Sequence, residues 1–289
     1  MSRVWLVTGA SSGFGRAIAE AAIAAGDLVV GAARRPEALD DLVAAHPGQA
    51  EAVRLDVTSP DAPAVVDDVV ARHGRIDVLV NNAGRTQVGA LEETTADELR
   101  YLFELHFFGP AALTKAVLPH MRRQGGGAVV QMSSVGGWIT APGFGAYCAT
   151  KFALEGLTQT LSQEVDFGVR FLIVEPGAFR TGLFNPGAAY LSAELPEYAA
   201  TVGPTRQYVT GGDGEQPGDP AKAAAAILTA LDAENPPLRL PLGADAVDSI
   251  RGQLDSVAEA LAAWEHVSRA TAFDPEYPRV RPCEWYWTL

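Results

Sequence analysis

Cysteine is scarce. Cys148 and Cys283 are the only two in 289 residues, and they share no metal-ligand spacing with the five histidines, so neither a disulfide framework nor a metal site is expected. A reducing cytoplasm is the compartment that fits. No uncharged apolar run reaches the roughly 18 residues of a membrane span, and the apolar start Val4 to Val7 is too short for a secretory signal. Neither a membrane-spanning chain nor export by that route is expected. Positive charge is in deficit, with 22 Lys and Arg against 35 Asp and Glu for a net charge of −13, and no basic block interrupts it. Such a field repels polyanions and disfavours nucleic acid and anionic membranes as partners. No glycine turn ends in Gly-Lys-Ser/Thr, which disfavours phosphate-loop ATP chemistry.

Apolar residues are not lacking. At 48% hydrophobic and 20% charged, the chain can offset the entropy of folding as a globular protein. Short β-branched runs alternate with amphipathic stretches, the pattern of parallel strands joined by crossover helices. Strands are predicted near 3–8, 28–33, 51–56, 76–81, 127–133, 169–175 and 238–241. Helices are predicted near 14–25, 37–45, 61–73, 95–121, 146–166 and 219–233. Runs such as Ile76 to Val80 and Val169 to Val174 are almost wholly apolar, as in strands covered on both faces. The fold class is α/β with a doubly wound parallel sheet in a single domain over 1–243. Residues 182–217 form an inserted lid loop, rich in Gly and Pro and long enough to be functional. Residues 244–289 add a helix, with Val247, Ile250, Leu254, Val257, Leu261 and Trp264 along one face, and an aromatic tail; both are expected to pack on the same domain.

Directly after the first strand comes Thr8-Gly9-Ala10-Ser11-Ser12-Gly13-Phe14-Gly15, and then a helical pattern. Glycines let the backbone approach a pyrophosphate, and the helix N-terminus supplies free N–H groups. Strand, glycines and helix together point to a dinucleotide. Where an NAD site usually carries an acid for the ribose 2′-hydroxyl, the end of the second strand reads Ala33-Arg34-Arg35. Two guanidiniums suit a 2′-phosphate, so NADP(H) is favoured and NAD(H) is the lesser choice. Further on, Tyr147 and Lys151 lie four apart on one helix face. A cation beside a phenol lowers its pKa and makes it a usable acid or base. Ser134 stands at a strand end, where its hydroxyl can polarise a carbonyl.

These motifs, with Asp56-Val57, Asn81-Asn82-Ala83-Gly84 and Pro176-Gly177 leading to Thr181, resemble the short-chain dehydrogenase/reductase family over about residues 3 to 241. The resemblance implies a Rossmann fold and hydride transfer between a nicotinamide and a carbonyl or alcohol. It implies Tyr147 as general acid, Lys151 on the nicotinamide ribose, and Ser134 on the substrate oxygen. It places Asp56 near the adenine, Asn82 to Gly84 and Pro176-Gly177 along the cofactor, and Thr181 at the carboxamide. It also implies a homodimer or homotetramer built through the fifth and sixth helices. His106 stands where the family carries an Asn that holds a relay water. An imidazole can both donate and accept, which would make the relay pH-sensitive; the alternative is a buried histidine bonded to backbone.

Trp138, Phe144, Phe179, Leu183 and Phe184 are expected to wall an apolar substrate site, which suits a hydrophobic ketone or aldehyde better than a sugar. Two rival classes remain open here. One is a nucleotide-binding regulator or redox sensor with weak or no turnover, and the other is a methyltransferase or epimerase on a similar sheet.

Overall fold

A computed structural model of the chain describes residues 2–185, 188–212 and 214–271. In chain order the first half comprises β1 (Val4–Thr8), α1 (Gly13–Ala24), β2 (Leu28–Ala33), α2 (Asp40–Ala45), β3 (Ala50–Arg54), α3 (Ala64–His73) and β4 (Val78–Asn81). There follow β5 (Gln87–Val88), α4 (Ala96–Phe103), α5 (Gly109–Gln124), β6 (Gly127–Met132), α6 (Gly145–Glu164) and β7 (Val169–Pro176). Last come β8 (Tyr190–Leu191), α7 (Gly203–Gly211), α8 (Pro220–Asp232), β9 (Arg239–Leu242) and α9 (Ala244–Arg269). One parallel sheet runs in the order β3-β2-β1-β4-β6-β7-β9. The doubly wound sheet read from the sequence is the one found, with each of its strands within about two residues of its expected place.

Period-two alternation in β1 shows why the sheet is covered on both sides. Trp5 and Val7 enter a core with Ile18 and Ile23 of α1 and Ile227 and Leu231 of α8. Val4 and Leu6 enter the opposite core, with Val66 and Val69 of α3 and Leu113, Val117 and Met121 of α5. Burying each such side chain is worth about 1.5–3 kcal/mol. Polar groups fix the ends: Thr95 and Glu98 form a reciprocal cap on α4, and the Asp219 carboxylate accepts the Ala221 N–H at 2.8 Å ahead of α8.

Three regions differ from expectation. The helix predicted over 95–121 is α4 and α5 joined by a single π turn, Glu104–Phe108. Pro110 has no N–H to give the carbonyl of His106, so the regular ladder fails there. Residues 182–217 are not a loop: β8 pairs in parallel with β5, with Gln87 opposite Tyr190, and α7 follows. Finally, α9 spans two units of the chain, one ending at Ile250 and the other beginning at Arg251. Ala246 and Ile250 are buried, whereas Val247, Leu254, Val257, Leu261 and Trp264 are exposed, so of the predicted apolar face only Ile250 is covered. The aromatic tail after Thr271, Cys283 included, lies outside the described residues. Among the described residues no helix is long and apolar enough to cross a membrane.

Buried charge ties the segment carrying α7 to the connection between β5 and α4. Arg206 of α7 donates to the Glu93 carboxylate at 2.7 Å and to the Ser192 carbonyl at 2.8 Å, and Glu93 also accepts the Leu195 and Ala90 N–H groups at 2.9 and 2.8 Å. Removing one member of a buried pair strands the other charge. Arg206→Met is therefore expected to lower stability by about 3–5 kcal/mol, read as a lower denaturation midpoint together with earlier proteolysis between residues 182 and 217. A midpoint equal to wild type would show that the pair is not a tie.

Candidate active site

Strand order reverses between β1 and β4, and a crevice opens at their carboxyl ends, where sheets of this kind bind ligands. The cleft there has a volume of about 770 Å³.

Its glycine turn is built by close approach. Gly9 has φ +65° and Gly13 φ +55°, a left-handed conformation that glycine adopts without strain. A side chain on Gly15 would collide with the Gly9 carbonyl and the Asn82 amide. Asn82 holds this arrangement, its amide donating to the carbonyls of Thr8 at 2.9 Å and Gly9 at 3.2 Å. The Thr8 hydroxyl in turn accepts the N–H groups of Asn82 and Ala83 at 2.9 and 3.0 Å and donates to the Val80 carbonyl at 3.2 Å. Gly9, Ser11, Ser12, Gly13 and Phe14 line the cleft, and so do Arg34, Arg35, Asp56, Val57, Asn82, Ala83 and Gly84. Gly15, expected among them, does not; its role is to let turn and strand touch. Arg34 and Arg35 are exposed, and among the described residues neither guanidinium is committed to a carboxylate, whereas Arg16 nearby is bound to Glu20 and Asp41. A glycine cradle at a helix start beside two uncommitted cations fits the diphosphate and ribose of a nicotinamide dinucleotide, NAD or NADP.

On the far wall stand Ser134, Tyr147 and Lys151, with Pro176, Gly177 and Thr181 behind them. Ser134 accepts the Gly136 N–H at 3.0 Å and favours the charged form of the Tyr147 phenol. The Lys151 ammonium lies 5.7 Å from the centre of the Tyr147 ring and donates to the Met132 carbonyl at 2.8 Å. This geometry corrects the expectation that Lys151 depresses the phenol: the cation faces the ring and a carbonyl. Burial instead pushes Tyr147 up to about 12, against the pull of Ser134, and brings Lys151 down to about 8, against the charge of Glu155. At neutral pH the pair is a neutral phenol beside an ammonium, the protonation state of a proton donor.

His106 is 1% exposed, in the π turn. Thr150 donates its hydroxyl proton to the Tyr147 carbonyl at 2.7 Å, so His106 Nδ1, 2.9 Å from Thr150 Oγ1, is the donor of that pair. Nε2 accepts the Arg85 N–H at 3.2 Å. Both ring nitrogens are thus engaged in the neutral tautomer, and burial, followed by the charges of Lys151 and Arg85, holds the ring well below its usual pKa. A titrating relay at this position is corrected to a fixed brace, set edge-on to Tyr147 with 5.6 Å between ring centres.

Phe144, Leu183 and Phe184 line the substrate side, and Phe184 meets Tyr208 of α7 edge-on at 5.5 Å. Phe179 also lines the cleft, but its ring packs 5.1 Å from Phe14 at the glycine turn. Trp138 does not line the cleft: its indole N–H donates to Glu175 at 2.8 Å, and the Arg239 guanidinium covers its face at 5.3 Å. That partner lies on β7, 37 residues away in the chain, which local pattern cannot reveal. Sequence reasoning also missed Asp245, which accepts the Ala178 N–H at 2.7 Å and shapes the Gly177 turn, and Arg85 and Tyr101 on the cleft wall. Among the described residues no cluster of three or more His, Cys, Asp or Glu could hold a metal ion.

Residues 3–189 match the family described as short chain dehydrogenase. The chain is 38% identical over 278 residues to an oxidoreductase, BOA17, of Botryotinia fuckeliana, covering 94% of this chain and 100% of that protein. It is 35% identical over 245 residues to a 3-ketodihydrosphingosine reductase of Bacteroides thetaiotaomicron, covering 83% and 88%. The crystal structure of a short-chain dehydrogenase from Streptomyces avermitilis superposes with a TM-score of 0.89 at 66% identity, covering 94% and 98%.

With His106 neutral throughout, His106→Asn is expected to leave the shape of the pH–rate profile unchanged between about pH 5.5 and 7.5, whatever it does to the maximal rate. A wild-type inflection near pH 6.5 that the variant loses would contradict the fixed tautomer.

Proposed function

The chain belongs to the short chain dehydrogenase family of oxidoreductases, and from that premise we propose that it is an NADP(H)-dependent reductase of hydrophobic ketones or aldehydes. The observation that carries this reading is the convergence of Ser134, Tyr147 and Lys151 on one wall of a cleft whose other end carries Arg34 and Arg35 without counter-ions. A bound nicotinamide would supply the hydride for the carbonyl carbon.

The chain's own residues handle the oxygen and its proton. Ser134, whose oxygen already accepts the Gly136 N–H, offers its hydroxyl proton to the carbonyl oxygen and polarises it. Tyr147, held neutral, gives its phenolic proton to the same oxygen as negative charge develops there. Lys151, brought down to about 8, can return a proton to the site near neutral pH. His106 and Thr150 keep the Tyr147 ring at its angle. The same groups run alcohol oxidation in reverse.

Arg34 and Arg35 support NADP over NAD because a 2′-phosphate would meet two guanidiniums where a carboxylate would repel it. Phe144, Leu183, Phe184 and Tyr208 support a hydrophobic substrate, as does the resemblance to a reductase named for a 3-keto compound. Phe108 and Phe152, about half exposed at the start of α5 and on α6, support a subunit interface there.

Tyr147→Phe is expected to reduce carbonyl turnover by at least about 10²-fold, the scale of losing a general acid, while NADPH binding persists. Full turnover in that variant would overturn the mechanism, and wild-type NADPH binding with no turnover across a carbonyl panel would favour a regulator. Arg34→Ala with Arg35→Ala is expected to weaken NADPH by about 10- to 100-fold, the worth of one or two charged hydrogen bonds, and NADH far less. Equal losses for both nucleotides would remove the 2′-phosphate assignment.

A further inference from the structure

The proposed reaction uses no cation on the substrate side of the cleft, yet one is there. Arg85, directly after the Asn81 to Gly84 turn, lines the cleft. Its guanidinium is clasped between two aromatic faces, with its central carbon 4.6 Å from the centre of the Tyr101 ring and 4.5 Å from that of Tyr190. The two rings come from α4 and from β8 in the lid segment, so the cation is held where the lid meets the body of the domain.

A guanidinium so placed has shed much of its water and normally has a carboxylate in exchange. In this chain Arg3, Arg16, Arg72, Arg75, Arg206 and Arg239 each have one. Among the described residues Arg85 forms no ion pair, although acids outnumber bases by thirteen in the whole chain, and its buried Nε has no acceptor there. Glu98, the acid bound to the Tyr190 hydroxyl at 2.7 Å, is committed elsewhere, to Ser192 at 3.1 Å and to the Thr95 N–H at 2.9 Å. Stacking on two rings offsets part of the desolvation and fixes the plane of the group, but it satisfies neither the charge nor the in-plane donors. What remains is a planar fork in the geometry that a carboxylate matches.

The main chain of Arg85 lies close to the proton donor. The Arg85 N–H donates to His106 at 3.2 Å, and His106 stands edge-on to Tyr147, so one imidazole separates the Arg85 backbone from the proton donor. We propose that Arg85 is a substrate receptor for a carboxylate, and that the substrate class is a hydrophobic keto acid whose carbonyl meets Ser134 and Tyr147 while its acid end meets Arg85. This rests on the reductase reading. It narrows that reading from a neutral carbonyl compound to an anionic one, and makes Arg85 a specificity residue rather than part of the proton path.

The test compares matched pairs, a long-chain or aryl keto acid and its methyl ester, as substrates with NADPH. The wild type is expected to favour the acid in kcat/KM by about tenfold or more, the scale of one charged hydrogen bond, with the advantage shrinking as salt rises. Arg85→Met should bring the ratio of acid to ester close to one, and Arg85→Lys should keep part of it. Calorimetric titration with decanoate and with 1-decanol in the presence of NADP reads the same site without turnover. Arg85-dependent decanoate binding in a protein that reduces no ketone would sustain the carboxylate site while overturning the reductase reading. Ketone reduction with no preference for the acid in the wild type would overturn the carboxylate site and leave the reductase intact. Loss of acid and ester activity in equal proportion in Arg85→Met, together with a lowered thermal midpoint, would also overturn it, since the residue would then be only a strap between Tyr101 and Tyr190.

Discussion

The site hangs from the seam between β1 and β4. These strands are neighbours, but the chain leaves them toward opposite edges of the sheet, so nothing covers their carboxyl ends and the crevice is a product of connectivity. Side-chain bonds then hold its two lips in register. Four hydrogen bonds cross the seam, from Asn82 and Ala83 on one side to Thr8 and Gly9 on the other, and Gly15 lets them come within reach. The glycine turn belongs to one lip and the Asn81 to Gly84 turn to the other, so the nucleotide end and the substrate end of the cleft share one set of polar contacts.

Charge is distributed around this seam with a clear division. Behind Lys151, two buried carboxyl groups, Glu155 and Glu175, share one arginine, Arg239, and Glu155 also accepts the Ser133 hydroxyl at 2.6 Å. Burial, and then the charge of Glu155, pushes Glu175 up to about 7, so this cluster does not present two full negative charges to the active-site lysine. On the cleft side, by contrast, Arg34, Arg35 and Arg85 have no acidic partner among the described residues. A small anionic ligand can reach all three from the cleft.

Much of this was legible in the sequence because it is local. The strands announced themselves as apolar runs, the glycine turn followed the first of them, and Tyr147 and Lys151 shared a helix face through spacing alone. What escaped depends on partners distant in the chain. Trp138 looks like a substrate-site aromatic until Glu175 and Arg239 are seen to claim it. Residues 182–217 look like a loop because β8 is two residues long and takes its pattern from β5, about a hundred residues earlier. The sign of the shift on Tyr147 escaped too, because helical spacing places an ammonium near a phenol without saying whether it meets the oxygen or the ring.

The π turn before α5 also has a consequence for how this helix can change. A turn with one residue beyond the α-helical count delays everything after it by about 100° of rotation. Leu113, Thr114, Val117 and Met121 are buried in that shifted phase. Deleting a single residue between 104 and 108 would remove the extra residue of the turn and swing this apolar stripe away from the sheet. The irregularity that seats His106 beside Tyr147 therefore also sets the rotational phase of α5, and the segment can drift by substitution far more readily than by loss or gain of length.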